Sequence, residues 1–424
     1  MLALFDEVKR FISSFSSSSS ALKVLDLTRE NKNETFIIQE SVFASIQIFS
    51  QRASMGSSLP FDLILEILQR TPAESLLRFK STCKKWYELI SNDKRFMYKH
   101  LDKSTKRFLR IENRERVQIL DPVTEILAVS TIPNELRHKY FTLIHCDGLM
   151  LGMCYEELGS DPNLAVWNPV MRKIKWIKPS PPLVCYWGSD YLGFGYDKTF
   201  RDNYKILRFT YLGDDDDDES YPKCQIYEFN SGSWRSIEAK FDGEIDVEVD
   251  GVSVNGSMYW IELQEKKNFI LSFDFSKETF NRICDSPLYW DIKRLGCFNG
   301  DRLSLLQQNE ATREIHVSVT NKLSDEVVSF SRYFSVTLPD IPLFRSIDIL
   351  PLPGCFIGKN RNIIAWCEQL VGKYDDHTSI ILYEIGEGGV TKRIRTGRHE
   401  ADEDYNDLDN CSYVYVPSLI PVPE

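Results

Sequence analysis

AVWNPVMRKIKWI, residues 165–177, reads as a short strand, a polar turn and a second strand. The same pattern occurs at QILDPVTEILAV (118–129), QIYEFNSGSWRSI (225–237), LSFDFSKETFNRI (271–283), HVSVTNKLSDEVVSF (316–330) and ILYEIGEGGVTKRI (381–394). The six segments start 47, 60, 46, 45 and 65 residues apart, and the long intervals carry insertions such as DDDDDES. Five of them follow another strand signal: CDGLML (146–151), DNYKILRF (202–209), VNGSMYWI (254–261), FNGDRLSL (298–305) and KNRNIIAW (359–366). A unit of roughly 45 to 50 residues with about four strands has the period of a β-propeller blade, so six units predict six blades. CSYVYVPSLIPV (411–422) is placed to pair with KRFLRIE (106–112) and close the ring, removing the open sheet edges. A two-sheet sandwich is the alternative, since many short strands divide that way too. Trp167, Trp176, Trp234, Trp260 and Trp366 are expected at equivalent strand positions, packing blade against blade.

Upstream the texture is helical. In SSLPFDLILEILQRTPAESLLRFKSTCKKWYELI (57–90), Pro60 suits a first helical position, and Phe61, Ile64, Leu65 and Leu68 form one apolar face. TPAE (71–74) reads as a capping box, with the Thr71 hydroxyl accepting from the backbone of Glu74. Leu76, Leu77, Phe79, Cys83, Trp86, Leu89 and Ile90 continue through a second and a third helix. About 45 residues bury little more than half their surface alone, so this much Leu, Ile and Phe needs cover from the rest of the chain or from a partner. The fold class is therefore mainly β with a small α domain: an extension over 1–56, a three-helix unit over 57–101 and a propeller over 105–422.

The chain of 424 residues is 42% apolar and 27% charged and carries a net charge of −11, which argues against a general nucleic-acid binder. Residues 57–101 carry eight Lys or Arg against five acids, a basic island that suits an acidic protein partner. Residues 1–56, with the serine run Ser16 to Ser20, are expected to be disordered. Met55 is an alternative start, and Asp6, Glu7, Asp26, Glu30 and Glu34 argue against a transit peptide. No stretch holds about 18 uncharged apolar residues, so the expected location is intracellular, cytoplasm or nucleus.

Chemical motifs are sparse. There is no GxSxG, HExxH or GxxxxGK[ST], and the ten cysteines and six histidines are scattered, so neither a metal nor another cofactor is expected. His145 and Cys146 are adjacent on a strand and point to opposite faces, against a Cys–His pair. The run Asp214 to Glu219, with Asp214, Asp216 and Asp218, lacks the spaced ligands of a calcium loop and reads as a solvated loop. Tyr186, Trp187 and Tyr191 form an aromatic group in a Pro-rich insertion, either locally packed or in contact with a target.

Residues 59–101 resemble the F-box, through Leu59-Pro60, EIL, the Pro72 turn, SLLRFKSTCKKW and the closing LI. DGLMLG, VWNPVMRKIKWI, LGFGYDKTFRDNYKILRF, VNGSMYWIE and the final YVPSLIPV resemble the F-box-associated interaction domain of the large plant F-box family. The resemblance implies kelch-like blades and a non-catalytic substrate receptor of a ubiquitin ligase of the Skp, cullin and F-box type. It implies a Skp-like adaptor, and through it a cullin-RING core, as partner, with an unidentified protein target marked for the proteasome. It places Leu59, Pro60, Ile64, Leu65, Ile67, Leu68, Leu76, Leu77, Phe79, Cys83, Trp86 and Ile90 at or behind the adaptor interface, with Arg78, Lys80, Lys84 and Lys85 as rim charge. Target contacts fall to Tyr186, Trp187, Tyr191, Asp214, Asp216 and Asp218, on one face of the ring. The competing class is a free-standing propeller acting as an enzyme, a lectin or a scaffold.

Overall fold

The computed structural model describes residues 61–112, 115–137, 140–155, 163–178, 180, 190–210, 223–246, 249–264, 267–287, 292–344, 353–370, 377–400 and 412–424. The chain divides into two compact units, residues 1–71 and 72–424.

In the first unit the described residues form helix α1, Phe61–Gln69. The second unit begins with α2 (Ala73–Phe79), α3 (Lys84–Ser91) and α4 (Lys94–Lys103). Among the described residues four helices therefore stand where three were expected over 57–101. The fourth starts at Asp93, whose carboxylate accepts from the Phe96 backbone N–H at 3.0 Å, and it buries Phe96, Met97, His100 and Leu101 along one face. The expected capping box does not form. The Thr71 hydroxyl instead donates to the Ile67 carbonyl at 2.9 Å, closing the end of α1, and the start of α2 has no side-chain cap.

The rest is a ring of six antiparallel sheets. Blade one holds Tyr140–Cys146, Leu149–Tyr155, Asn163–Asn168 and Lys173–Ile177, from the inner strand outwards. Blades two to five follow with inner strands Asp190–Tyr196, Val252–Val254, Ile292–Phe298 and Gly354–Gly358. In blade six the inner strand is Ser412–Tyr415, paired with Arg107–Glu112 from the other end of the domain in the register Arg107↔Tyr415 to Arg110↔Ser412. Neighbouring inner strands touch in turn around the ring, and Ser412–Tyr415 returns against Tyr140–Cys146. No pair of stacked sheets occurs among the described residues, so the sandwich alternative falls.

Each of the six strand–turn–strand segments is the outer hairpin of a blade, and each of the five preceding signals covers a second strand. The apolar core lies between blades. Leu109, Ile111 and Val117 of blade six pack with Met150, Ala165 and Trp167 of blade one, and Ile315 and Val317 of blade four pack with Ile363 and Ile381 of blade five. The tryptophans do not share one position. Trp260 and Trp366 lie on second strands and Trp167 on a third, all buried, whereas Trp176 and Trp234 lie on fourth strands, and Trp176 is 40% exposed. Fourth strands form the outer rim, where a side chain has a neighbour on one side only.

A second closure reinforces the strand pair. The tail beyond Tyr415 lies against blade one, where the buried Asn168 amide donates to the carbonyls of Ser418 at 3.2 Å and Ile420 at 2.7 Å. His145 Nε2 accepts from the backbone N–H groups of Gly148 at 2.9 Å and Val416 at 3.2 Å. Gly148 sits at φ +82°, and a Cβ there would strike Ser418, so this turn needs glycine both for its conformation and for the tail's approach.

Candidate functional site

In the first unit, the apolar side of α1 is only partly covered. Leu68 is buried, Ile64, Leu65 and Ile67 are half-buried, and Phe61 is 45% exposed. Leu59 and Pro60 lie outside the described residues. In the second unit, Leu76, Phe79, Trp86 and Ile90 are buried, and the Phe79 and Trp86 rings pack at 5.3 Å. Leu77 is half-buried and Cys83 exposed, while Tyr87 is 48% exposed beside the exposed Lys84 and Lys85. The residues singled out from the sequence thus separate into buried side chains and side chains that face outwards. Tyr87 was missed. Its signal was present, because KKWYELI places Tyr87 next to the buried Trp86 and hence on another side of a helix of 3.6-residue period.

Polar side chains fasten α2 and α4 to the blades. Glu74 on α2 pairs with Arg107 at 2.7 Å, and Arg107 also lies 3.4 Å from Asp121. On α4, Lys94 pairs with Asp202, and Asp102 accepts from Arg201 at 3.2 Å. Arg201 lies in the turn between the first two strands of blade two. Its guanidinium grips Asp147 of blade one through two bonds, at 3.0 and 3.2 Å, and stacks 4.6 Å over the Tyr98 ring of α4. Burial, with the charges of Asp202 and Asp147, pushes the Tyr98 hydroxyl up to about 12, so it stays protonated beside them. One arginine therefore joins α4, blade one and blade two.

Of the residues assigned to target contact, only Tyr191 is described. It lies on the inner strand of blade two, half-buried, and stacks on Phe209 at 5.1 Å. Tyr186, Trp187, Asp214, Asp216 and Asp218 lie outside the described residues.

The adjacent His145 and Cys146 serve separate ends. Nε2 of His145 holds the tail, and Cys146 is buried, its thiol raised well above its usual value by burial and by Asp147. Among the described residues no group of three His, Cys, Asp or Glu side chains is arranged to hold a metal ion. Among them, too, no helix is long and apolar enough to cross a membrane.

Comparison with known proteins places both parts. Residues 57–98 match the F-box domain, and residues 101–422 match the F-box associated beta propeller domain. An F-box protein of Arabidopsis thaliana is 54% identical over 381 residues, covering 88% of this chain and 99% of the relative. F-box only protein 15 of the same plant is 52% identical over 389 residues, covering 89% and 100%. Among solved structures, a chain of a nidogen/laminin complex aligns over 74% of this chain and 100% of its own, with 9% identity and a TM-score of 0.39, too loose a likeness to carry an argument.

Proposed function

Because the chain belongs to the F-box proteins that carry an F-box-associated β-propeller, we propose that it is a substrate-recognition subunit of a Skp–cullin–F-box ubiquitin ligase. The observation that carries this reading is the joining of both matched segments in one chain, with apolar side chains left exposed on the helices. Residues 57–101 bind a Skp-like adaptor, and residues 105–422 hold a target for ubiquitination and degradation. The chain does no bond chemistry of its own. It raises the effective concentration of target lysines near the ubiquitin donor.

At the adaptor interface, Leu59, Pro60, Ile64, Leu65, Ile67, Leu77 and Cys83 make the contacts, and Leu68, Leu76, Phe79, Trp86 and Ile90 support them from behind. Arg78, Lys80, Lys84 and Lys85 form a charged rim that sets on-rate and salt dependence, while the apolar contacts set the lifetime of the complex. Target contact falls to the insertion around Tyr186, Trp187 and Tyr191 and to the acidic loop with Asp214, Asp216 and Asp218, which favours a basic target segment.

The test is a pull-down of a purified Skp-like adaptor at physiological salt by the full chain and by the Leu59→Ala/Pro60→Ala variant. The expected result is retention by the wild type and at least tenfold weaker retention by the variant, with the far-UV circular dichroism of the propeller unchanged. Absence of wild-type binding overturns the proposal.

A further inference from the structure

The inner strands of the ring surround a central channel of about 660 Å³, and the ligase reading gives it no role. Ile144, Val252, Leu295, Phe356 and Val414 contribute its apolar wall. Among the described residues, five Lys or Arg and three Asp line it, an excess of positive charge inside a chain whose net charge is −11. Two of the three aspartates, Asp102 and Asp147, are engaged by Arg201.

Lys106 enters this space from the segment between α4 and the strand Arg107–Glu112. Its ammonium donates to the Cys297 carbonyl and stands 5.3 Å from the centre of the Phe356 ring. Among the described residues no carboxylate pairs with it, and burial lowers its pKa, which the Cys297 and Cys355 thiols partly offset. The other titratable groups facing the channel do not supply an anion at its side: His145 is held neutral by burial and by Lys106 itself, and Asp250 has Arg294 as its charged neighbour. An enclosed cation without a counter-charge destabilises the fold that holds it, and such groups concentrate where a ligand supplies the missing charge. A concave space of a few hundred Å³ with an apolar wall and a few placed polar groups is the form of a small-molecule pocket.

We propose that the central channel binds a small organic anion, its carboxylate or sulfonate meeting Lys106 and its apolar body lying along Phe356 and the inner strands.

The test uses the full-length protein titrated with 8-anilinonaphthalene-1-sulfonate, whose fluorescence rises in apolar surroundings. One saturable site per chain is expected, at least tenfold weaker in Lys106→Met, and displaced by 4-phenylbutyrate but not by 4-phenylbutanol at equal concentration. Non-saturating binding of equal strength in both proteins, which is dye on exposed helix surface, overturns the proposal, as does equal displacement by acid and alcohol. Should Lys106→Met fail to fold, the wild type alone decides: 4-phenylbutyrate must raise its melting temperature where the alcohol does not, and equal effects refute the site.

Discussion

Acid should loosen the ring at His145. Its Nε2 is an acceptor shared by two backbone donors, Gly148 at 2.9 Å and Val416 at 3.2 Å. Protonation puts a donor at that nitrogen, facing two others, and the hold on the tail is lost. Burial first, and then the charge of Lys106, lowers the folded pKa to about 4 from the ordinary 6.5. Because the folded value is the lower one, the unfolded chain binds the proton more tightly. The contribution is complete above about pH 6.5 and drains away as pH falls towards 4. A shift of this size corresponds to a ceiling of about 3 kcal/mol, reduced by solvent screening in the channel. At pH 5.5 the same two values give about 1 kcal/mol lost, whereas at pH 7 almost all of the contribution remains. The assay is urea unfolding, followed by tryptophan fluorescence, of wild type and His145→Gln at pH 7 and 5.5. Glutamine keeps an acceptor without titrating, so the wild type should lose about 1 kcal/mol more than the variant between the two pH values. Equal losses would refute the reasoning.

Two other sites give direct outcomes. Arg110 of blade six is fully buried and pairs with Glu368 of blade five, with Glu112 a further 3.4 Å contact. Glu368→Ala should cost about 3 to 5 kcal/mol in denaturant unfolding, and Arg110→Met added to it should recover a substantial part, since the loss comes from a buried charge that has lost a partner. Arg201→Met removes the grip on Asp147 and the stacking on Tyr98. Hydrogen exchange of the α4 amides should then quicken roughly tenfold while the strands of blades three to five are unaffected, a difference of about 1.4 kcal/mol in local opening. Unchanged exchange in α4 would show that Arg201 does not fasten it.

The ring was legible because a blade is a local object. Each outer hairpin is written within about fifteen residues, and the recurrence of AVWNPVMRKIKWI and its counterparts gives both the unit and the number of units. The closing pair was legible as well, since six repeats leave one strand over at each end. Turn chemistry held more than was taken from it: Asp147-Gly148 and Asn255-Gly256 adopt positive φ, as two-residue hairpins between inner and second strands require, and Asn299-Gly300 does so within a three-residue turn. What the sequence hid depends on distant segments meeting. The Arg110–Glu368 pair spans 258 positions, and Lys106 gains its meaning only from the carbonyl of Cys297 and the ring of Phe356. On the helices the pattern marked which residues are apolar. The helical period sets Trp86 and Tyr87 on different sides, and which of the two turns inwards depends on how α2, α3 and α4 pack. Thr71 shows the same limit at short range, its hydroxyl donating to the Ile67 carbonyl behind it where the sequence pattern pointed forward to the backbone of Glu74.

The pairing of Ser412–Tyr415 with Arg107–Glu112 also sets a schedule for biosynthesis. A ribosome makes the earlier strand about 300 residues before its partner, an interval of roughly 15 to 60 s at ordinary elongation rates. Throughout that time blades one to five can form in sequence, yet blade six lacks its inner strand and the newborn domain is an open arc with an unpaired edge. A nonsense codon or stall shortly before Ser412 would therefore leave nearly all of the apolar core made and the molecule still unclosed, a product suited to chaperone capture or edge-to-edge association.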